Sequence, residues 1–345
     1  MSVKDKTLSV LENNKGDFIS GAEIAKKLSV SRNAVWKAIK LLQDEGYNIL
    51  AVNNKGYCLS IDTDILSPQS IDKYLKNDLV NFNINVYKSI TSTNDLAKEL
   101  AIKGEKEGTV IIAEEQTNGR GRFNRKFYSP KETGIYMTIL LRPKIHASNS
   151  FLITTAAAVA VSEAIESVSN KEAKIKWVND IYCDNKKVSG ILTEASIDFE
   201  SGMVDYAILG IGINVKPPKE GFTEEIQDIA TSILDYDPSI SVDIRSRLIA
   251  EVLNRFWLYY ETIENKSFIA SYKSRSLLIG KDINIFSKNS LEKANVIEID
   301  DECRLRVKME DGSIRLLSSG EVSIRIWYFY FIIGVYFVYT YYNFR

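Results

Sequence analysis

The feature that most constrains the fold is a basic, glycine-rich segment at residues 116–130, which reads QTNGRGRFNRKFYSP. Its first glycines alternate with arginines, so this half can bury no apolar face and is predicted to form an irregular loop. The runs on either side, Thr109–Ala113 and Gly134–Leu141, are short, apolar and rich in β-branched residues, which is typical of buried strands. The sequence therefore predicts a basic loop that a sheet holds at both ends.

The chemistry of this loop favours an anion site. Glycine lets backbone N–H groups approach a ligand closely, and arginine offers a rigid fork of donors that matches phosphate or carboxylate. A solvated charged loop and a nucleic-acid-binding patch are the alternatives, and they usually explain an isolated arginine-rich run. The position between two core strands favours the anion site.

Length and composition indicate how many domains the chain can form and in which cellular compartment it is expected. A chain of 345 residues is long enough for two or three domains. Its 44 Lys and Arg residues balance 45 Asp and Glu residues, so the overall charge favours no particular partner. The three cysteines are far apart and show no CxxC spacing, which argues against disulfides and zinc. Because the N-terminus also lacks the apolar run of a signal peptide, we expect a cytoplasmic protein.

The first 60 residues have the pattern of a winged helix-turn-helix. A short helix is predicted over residues 7–14, and a second helix begins after the capping residue Ser20. A tight turn follows, and Ser31 caps a third helix with apolar residues at periodic positions. Two strand-like runs, 47–52 and 57–60, then predict a hairpin wing.

This arrangement places the helix after Ser31 in the major groove of DNA, with its N-terminal residues on the bases. Residues 1–60 carry nine Lys or Arg and six Asp or Glu. The resulting positive net charge favours binding to the phosphates of DNA. A winged helix used only for protein contacts is the alternative, and Trp36 suits either the core or the DNA backbone. The predicted DNA-binding residues are Ser31, Arg32, Asn33, Trp36 and Lys37.

A second polar cluster lies beyond a predicted domain boundary at residues 61–68. Ser92, Thr93 and Asn94 stand between a predicted strand and a predicted helix. The simplest role of such a cluster is capping, with Ser92 and Asp95 at capping-box spacing. One cap needs only one such residue, so the others are candidates for hydrogen bonds to the polar end of a ligand.

A polar hairpin is predicted over residues 175–183 and 187–195. Asn179 and Asp180 lie inside the first strand-like run, where such residues are disfavoured, and Lys187 begins the second run. A ligand site would explain these polar residues. A β-bulge or an early turn at Asn179 and Asp180 explains them equally well.

Other segments are predicted to be scaffold. Residues 154–167 should form an alanine-rich core helix, and further helices are expected at about 243–264 and 268–276. One strand contains Gly210 and Gly212, which allow a close approach but lack the third glycine of a dinucleotide-binding motif. Four short strand-like runs after residue 280 predict a small all-β barrel.

The C-terminal stretch, residues 326–345, is apolar and aromatic, and residues 327–339 carry no charge. About 20 residues in a helix can cross a bilayer. Aromatic and β-branched residues dominate, however, and leucine is absent. An appended, aggregation-prone tail is therefore favoured over a membrane anchor.

These motifs together resemble the bifunctional biotin-protein ligases that also repress the biotin operon. The resemblance covers residues 1 to about 325 and rests on six motifs in family order, at 92–94, 116–122, 176–180, 187–192, 210–215 and 317–321. It implies an α+β fold with an N-terminal winged helix-turn-helix, a central mixed-sheet ligase domain related to class II synthetases and a C-terminal SH3-like β-barrel. The predicted domains are 1–62, 63–274 and 275–325, with an atypical tail at 326–345.

The resemblance implies a reaction in two steps. Biotin and Mg-ATP give biotinyl-5'-adenylate and pyrophosphate, and a lysine of a biotin carboxyl carrier domain then attacks the adenylate. The implied carrier belongs to acetyl-CoA carboxylase or another biotin-dependent carboxylase. The adenylate is also the implied corepressor of a homodimer on operator DNA. ATP, Mg²⁺ and biotin are thus the expected ligands, and no metal site built by the protein alone is expected.

The matching motifs also imply the site residues. Lys187 and Arg122 are implied to be catalytic, since they would neutralise charge on carboxyl and phosphate oxygens during in-line displacement. Phe127 stands where the family usually has Trp, and Val178 where it usually has Pro. The residues implied to bind biotin are Ser92, Thr93, Asn94, Gln116, Gly119, Arg120, Gly121, Arg122 and Lys187. Those implied to bind ATP are Arg122, Arg125, Lys126, Asn179, Asp180, Lys187 and Asn214.

Two other functions compete with this one. The first is a biotin sensor that represses transcription without ligase activity, and the second is a related lipoate ligase. Lys187 and the full arginine loop favour ligation, because sensing biotin alone does not need so many phosphate-directed cations. We further expect the glycine-rich half of the loop to lack a shape of its own until it closes over the adenylate.

Overall fold

The computed structural model describes residues 1–76, 81–234, 243–286, 291–318 and 321–324 of the chain. A helical domain with a hairpin comes first, a seven-stranded sheet with helices follows, and a five-stranded antiparallel sheet comes last. The predicted α+β fold class is confirmed. Residues 326–345, for which the sequence predicts a tail, lie outside the described ranges, as do residues 319 and 320 of the last motif.

The N-terminal domain has the predicted winged helix-turn-helix arrangement. The hydroxyl of Ser20 accepts a hydrogen bond from the backbone N–H of Glu23, and that of Ser31 from Ala34, so both predicted caps are confirmed. The first helix starts earlier than predicted because Ser2 forms a capping box with Asp5. The elements are α1 (Val3–Asn13), α2 (Gly21–Leu28), α3 (Arg32–Asp44), β1 (Ile49–Val52) and β2 (Gly56–Leu59).

The central domain is built on a mixed sheet with the strand order β3-β4-β5-β9-β8-β7-β6. Only β3 and β4 pair in parallel, and the other neighbours are antiparallel. Its strands are β3 (Asn83–Tyr87), β4 (Thr109–Ala113), β5 (Gly134–Leu141), β6 (Lys174–Lys176), β7 (Asp180–Cys183), β8 (Lys186–Ile197) and β9 (Val204–Asn214). The strands β4 and β5 flank the basic loop as predicted.

Helices cover both faces of this sheet. The predicted alanine-rich core helix is confirmed as α6, whose small side chains are buried against the sheet and α7. The apolar stretch Ala147–Ser169 is long enough to cross a membrane, but 67% of its apolar 18-residue window is buried inside the protein, as is typical of a core helix. On the opposite face α5 packs Ala97 and Ala101 against Ile111 and Leu140. The helices are α4 (Pro68–Asp72), α5 (Thr93–Ile102), α6 (Phe151–Ser169), α7 (Ile244–Glu261) and α8 (Ile269–Ser274).

The C-terminal strands form one antiparallel sheet in the order β13-β12-β11-β10-β14. Its elements are β10 (Asp282–Phe286), β11 (Leu291–Ile299), β12 (Leu305–Met309), β13 (Ile314–Leu317) and β14 (Glu321–Ile324). A small all-β unit is therefore confirmed. Its closure into an SH3-like barrel stays a prediction, as do the exact domain boundaries.

A buried ionic cluster joins the N-terminal domain to the central domain. Lys73, which directly follows α4, lies 2.8 Å from Glu12 of α1 and 2.5 Å from Asp243, the residue that precedes α7. Lys15, which follows α1, also pairs with Asp243. These side chains are largely buried, so each charge depends on its partner. The winged helix is thus fixed to the central domain by buried ion pairs.

Arg245 extends this ionic contact into the core. Its guanidinium is fully buried and lies 2.5 Å from Glu114 and 3.1 Å from Asp64, which precedes α4. Burial by itself lowers the pKa of Arg245, but the charges of Asp64 and Glu114 outweigh burial and the pKa is raised. Because Glu114 directly follows β4, this pairing holds the start of the basic loop to the domain junction.

We expect Arg245→Met to lower the free energy of unfolding by about 3–5 kcal/mol, because it leaves the carboxylate of Glu114 buried and unpaired. Urea denaturation measures this loss. Adding Glu114→Gln should restore part of the stability, since the amide carries no charge. Lys171→Ala, which breaks an exposed pair with Asp184, is the control and should cost less than about 1 kcal/mol. A change of that size for Arg245→Met would contradict the prediction.

Candidate active site

A cavity of about 490 Å³ lies on the central sheet and brings five of the six sequence motifs together. Its walls are the start of α5, the basic loop, the turn between β6 and β7, the strands β8 and β9, and residues 225–230. Val322 of the C-terminal sheet also contributes. Segments that are distant in sequence therefore meet in one site of a size suited to a small-molecule ligand.

The start of α5 supplies the polar end of the cavity. Ser92 caps the helix by accepting from the backbone N–H of Asp95 at 3.4 Å, so the capping interpretation is correct for this residue. Thr93 and Asn94 are also buried but are not needed for the cap. Thr93 instead donates through its backbone N–H to Oε1 of Gln116 at 2.9 Å. The first and second motifs are thereby joined by a direct hydrogen bond.

The amide of Gln116 is oriented by its partners. Its Oε1 accepts from Thr93, so its Nε2 faces Ser129 and donates to that hydroxyl at 3.0 Å. Gly119 lies against the same group, where a Cβ atom would be 2.9 Å from Nε2 and 2.5 Å from the carbonyl oxygen of Phe127. Glycine at this position therefore allows the loop to lie directly on Gln116.

Asn94 lies against β9 because Gly210 has no side chain. A Cβ atom at Gly210 would overlap the amide oxygen of Asn94. That oxygen accepts a hydrogen bond from the hydroxyl of Thr138 at 2.7 Å, and the amide nitrogen donates to Glu194 at 3.0 Å. The group that approaches Gly210 closely is thus the side chain of Asn94, which itself belongs to the site.

The basic loop has a shape of its own, contrary to the expectation for its glycine-rich half. The backbone N–H of Gly121 donates to the carbonyl of Arg125 at 2.8 Å, and that of Phe127 donates to Gly119 at 2.9 Å. A short 3-10 turn at Arg122–Asn124 closes this small hairpin. Turn hydrogen bonds replace the apolar contacts that the segment lacks. Ordering over an adenylate stays a prediction.

The cations of the site face opposite walls of the cavity. Arg120 lies 2.5 Å from Asp95 and 3.5 Å from Glu194, and these hydrogen bonds and charges raise its pKa. Arg122 donates to the amide oxygen of Asn179 at 2.9 Å.

Lys187 lies 2.7 Å from Asp180 across the β7–β8 hairpin. Together with Arg122 it lies on the wall formed by the β6–β7 turn. Arg125 and Lys126 are more exposed and line the mouth of the cavity.

Two aromatic side chains fix the turn that carries Asn179 through hydrogen bonds. Residues 177–179 form a turn between β6 and β7, so the early-turn interpretation is correct. The Trp177 indole donates to the carbonyl of Cys303 at 2.8 Å, and the Tyr272 hydroxyl donates to the carbonyl of Val178 at 3.0 Å. Complete burial raises the pKa of Tyr272 well above its usual value, so the phenol remains a donor.

An aromatic wall closes the cavity on the side of β9. The ring of Phe127 lies over Gly212, where a Cβ atom would come within 2.5 Å of it. Tyr136 packs edge-on against the same ring at a centroid distance of 6.3 Å. Gly190 of β8 is also in contact range of Phe127. Phe127 thus forms an apolar surface between the polar end and the cationic end of the cavity.

Comparison with known proteins decides the family. Residues 86–214 match the Biotin/lipoate A/B protein ligase family, residues 4–58 an HTH domain, and residues 289–325 the Biotin protein ligase C terminal domain. The chain is 36% identical over 311 residues to the bifunctional ligase/repressor BirA of Bacillus spizizenii, over 89% of this chain and 94% of that protein. The BirA protein of Bacillus subtilis matches to the same extent.

The chain belongs to the bifunctional biotin-protein ligase and repressor family. A solved structure agrees with this membership. The biotin protein ligase from Aquifex aeolicus, in complex with biotin and ATP, is 28% identical with a TM-score of 0.56. The match covers 70% of this chain and 98% of that chain.

The predicted DNA-binding residues of this family member lie on one exposed surface at the start of α3. Ser31 caps the helix, and Trp36 is 50% exposed, so Trp36 does not belong to the core. The apolar residues of α3 face inward against α1. Arg32, Asn33 and Lys37 are also exposed.

Two residues that hydrogen-bond to Asn94, and one segment of the cavity wall, have no counterpart among the sequence predictions. Thr138 and Glu194 are polar residues within strands, and that irregularity was the only available signal. Residues 225–230 carry no pattern at all, yet the carbonyl of Ile229 accepts from the backbone N–H of Lys187 at 2.8 Å. Asn214 donates to the neighbouring carbonyl of Thr231 at 3.1 Å. The carbonyls of Ile229 and Thr231 thus hold two predicted ATP-binding residues in place.

We expect Gly210→Ala to lower the free energy of unfolding by about 1–3 kcal/mol, because the new methyl group displaces Asn94 from its buried hydrogen bonds. Urea denaturation measures this effect. The same substitution in an Asn94→Ala background should cost much less, since the space is then available. Equal costs in both backgrounds would show that Asn94 does not determine the need for glycine.

Proposed function

We propose that this protein attaches biotin to a lysine of a biotin carboxyl carrier domain through biotinyl-5'-AMP, and that it also represses biotin biosynthesis genes by binding operator DNA. One observation carries the proposal: a single cavity holds the polar start of α5, the arginine loop and Lys187. The 36% identity to a bifunctional ligase/repressor over 94% of that protein supports the combination of both activities.

The polar end of the cavity is proposed to bind the ureido ring of biotin. Ser92, Thr93, Asn94 and Gln116 are buried or nearly so, and a buried polar ring must be matched by donors and acceptors. The Phe127 ring then lies along the aliphatic chain of biotin. This orientation directs the biotin carboxylate toward the arginine loop.

Adenylate formation is assigned to the cationic end. A biotin carboxylate oxygen attacks the α-phosphorus of ATP, and pyrophosphate leaves in line. Arg120, Arg122 and the backbone of Gly119 and Gly121 enclose the carboxylate and the α-phosphate. Lys187 neutralises charge that develops on their oxygens, which stabilises the transition state.

The remaining polar residues of the site are assigned to the nucleotide. Arg125 and Lys126 bind the leaving pyrophosphate, and Asn179, Asp180 and Asn214 bind the nucleotide. The Asp180 carboxylate and Asn179 amide provide the oxygen ligands that Mg²⁺ prefers, so the donor set suits a magnesium ion that arrives with ATP. Such an ion would neutralise phosphate charge.

The second step transfers biotin to protein. The amine of the carrier lysine attacks the carbonyl carbon of the mixed anhydride, and AMP leaves. No enzyme nucleophile is required, because the anhydride is already activated.

The proposed partners are the carrier domain of acetyl-CoA carboxylase or another biotin-dependent carboxylase, operator DNA, and a second copy of the chain when biotinyl-5'-AMP is bound. The proposed compartment is the cytoplasm.

A biotin sensor without ligase activity is the competing function. A sensor of biotin needs the polar end of the cavity but not the cations at the other end. Arg122 and Lys187 are both held in the cavity by specific partners, which favours ligation.

We expect Lys187→Ala to slow adenylate formation about 10²–10³-fold, because the charge on the reacting oxygens is no longer neutralised. Pyrophosphate release with biotin and Mg-ATP measures the first step, and the mass of a carrier domain measures the second. Lys186→Ala is the matched control, since Lys186 is the preceding residue and donates to the carbonyl of Gln227 instead.

A normal rate of pyrophosphate release by well-folded Lys187→Ala would exclude the proposed role. Wild-type protein that binds biotin but leaves the carrier mass unchanged would favour the sensor.

For the repressor activity, we expect Arg32→Ala and Lys37→Ala to weaken DNA binding while ligation is unchanged. Loss of a base contact costs about 1–3 kcal/mol, and loss of a phosphate contact lowers the salt dependence by about one charge. Fluorescence anisotropy with a duplex that the wild-type protein enriches from a random pool measures both effects. Lys103→Ala, on the exposed end of α5, removes the same charge elsewhere and should bind normally. Equal binding by all variants would favour a protein-contact role.

A further inference from the structure

The carboxylate of Glu194, on β8, joins two parts of the site. Its Oε2 accepts a hydrogen bond from Nδ2 of Asn94 at 3.0 Å, and its Oε1 lies 3.5 Å from the guanidinium of Arg120. Arg120 has a closer carboxylate in Asp95, at 2.5 Å. Arg120 therefore keeps a carboxylate partner without Glu194, whereas the other partner of the Asn94 amide is the neutral hydroxyl of Thr138. The contact that distinguishes Glu194 is the one to Asn94.

Glu194 decides which way the Asn94 amide faces. An amide presents an acceptor oxygen on one side and a donor nitrogen on the other. The hydroxyl of Thr138, 2.7 Å from Oδ1, is compatible with either orientation because a hydroxyl both donates and accepts. An ionised carboxylate only accepts, so it requires Nδ2 on its side. Of these two neighbours, only Glu194 fixes the orientation.

This orientation leaves one donor for the cavity. Nδ2 carries two hydrogens, and one of them is bound to Glu194. Within the part of the chain that the structure describes, the other has no acceptor, and Asn94 lines the cavity. Asn94 cannot retreat toward β9, because its amide already lies directly on Gly210. The site therefore presents a fixed N–H group to a ligand.

We propose that Glu194 is a positioning residue for biotin recognition. It holds the Asn94 amide so that the remaining Nδ2 hydrogen donates to the carbonyl oxygen of the ureido ring. Without Glu194 the amide can turn over and present an oxygen to that carbonyl, which is repulsive. The inference rests on the proposed function, since the ligand oxygen is that of biotin.

Substitutions at Glu194 separate its two contacts. Glu194→Ala removes the acceptor for Asn94, and we expect the Kd for biotin to rise about tenfold, the effect of one lost charge-assisted hydrogen bond. Glu194→Gln loses the charge near Arg120, and its amide can face Asn94 with either its oxygen or its nitrogen. Because one of these two arrangements still holds Nδ2 in the binding orientation, we expect this variant to bind biotin within about threefold of the wild type. Glu194→Gln as weak as Glu194→Ala would overturn the proposal, because the charge on Arg120 would then be the important contact.

A double-mutant cycle tests whether Glu194 acts through Asn94. In an Asn94→Ala background, Glu194→Ala should raise the Kd for biotin less than about twofold, because no amide remains to be oriented. If Glu194 had a merely structural role, Glu194→Ala would raise the Kd for biotin about tenfold in both backgrounds. That result would overturn the proposal. The KM for ATP should stay close to the wild-type value in Glu194→Ala, because Arg120 keeps its closer partner Asp95.

Isothermal titration calorimetry of the full chain with biotin gives each Kd. Glu200→Ala is the matched control, since Glu200 lies exposed on the connection between β8 and β9 and should bind as the wild type does. Wild-type protein that binds no biotin would refute the proposed function itself. Wild-type protein that binds biotin, together with a Glu194→Ala variant of equal affinity, would refute only the role of Glu194.

Discussion

The close approach of two side chains to β9 fixes the geometry of the whole site. Asn94 lies on Gly210, and Phe127 lies on Gly212, so the start of α5 and the end of the basic loop are both seated on one strand. That strand pairs with β5 on one side and with β8 on the other, which makes it central and rigid. Since Lys187 lies on β8, the polar and cationic ends of the cavity are held at a constant separation. Glycine is required because any side chain would occupy the space of the site residues.

Charge pairing organises the cationic end. Arg120 faces carboxylates on the α5 and β8 side, whereas Arg122 faces Asn179 on the turn between β6 and β7. Arg120 and Arg122 thus reach opposite walls of the cavity, and a single glycine, Gly121, lies between them. A ligand with both a carboxylate and phosphates would then meet donors on two sides. The two arginines can reach different walls although the loop forms a small hairpin, because the hairpin is held by backbone hydrogen bonds and leaves the side chains available for other contacts.

The DNA-binding domain depends on the ligase domain for the partners of its charges. Glu12 and Lys15 pair with Lys73 and Asp243 across the junction, and these groups are largely buried. Removing the N-terminal domain would remove those partners and expose Lys73 and Asp243, which pair with each other, on a new surface of the central domain. Point substitutions on the exposed start of α3 therefore separate DNA binding from ligation more cleanly than a truncation does. The junction also lies close to Glu114, from which the chain enters the basic loop.

Much of this protein was determined by local sequence. Ser20 and Ser31 cap their helices because capping needs only the next three residues, and the apolar runs beside the basic loop form strands because their period and composition are local properties. The motif residues of the site were likewise identifiable from sequence, since family resemblance marks positions without requiring their geometry.

Tertiary structure alone decided which residues surround those motifs. Glu194 reaches Asn94 across 100 positions of the chain, and Arg245 reaches Glu114 across 131, distances over which no periodicity operates. The backbone carbonyls of Ile229 and Thr231 hold Lys187 and Asn214, and backbone groups leave no trace in the pattern of side chains. Sequence specified which groups were available for binding. Strand order and register determined which of them face one another.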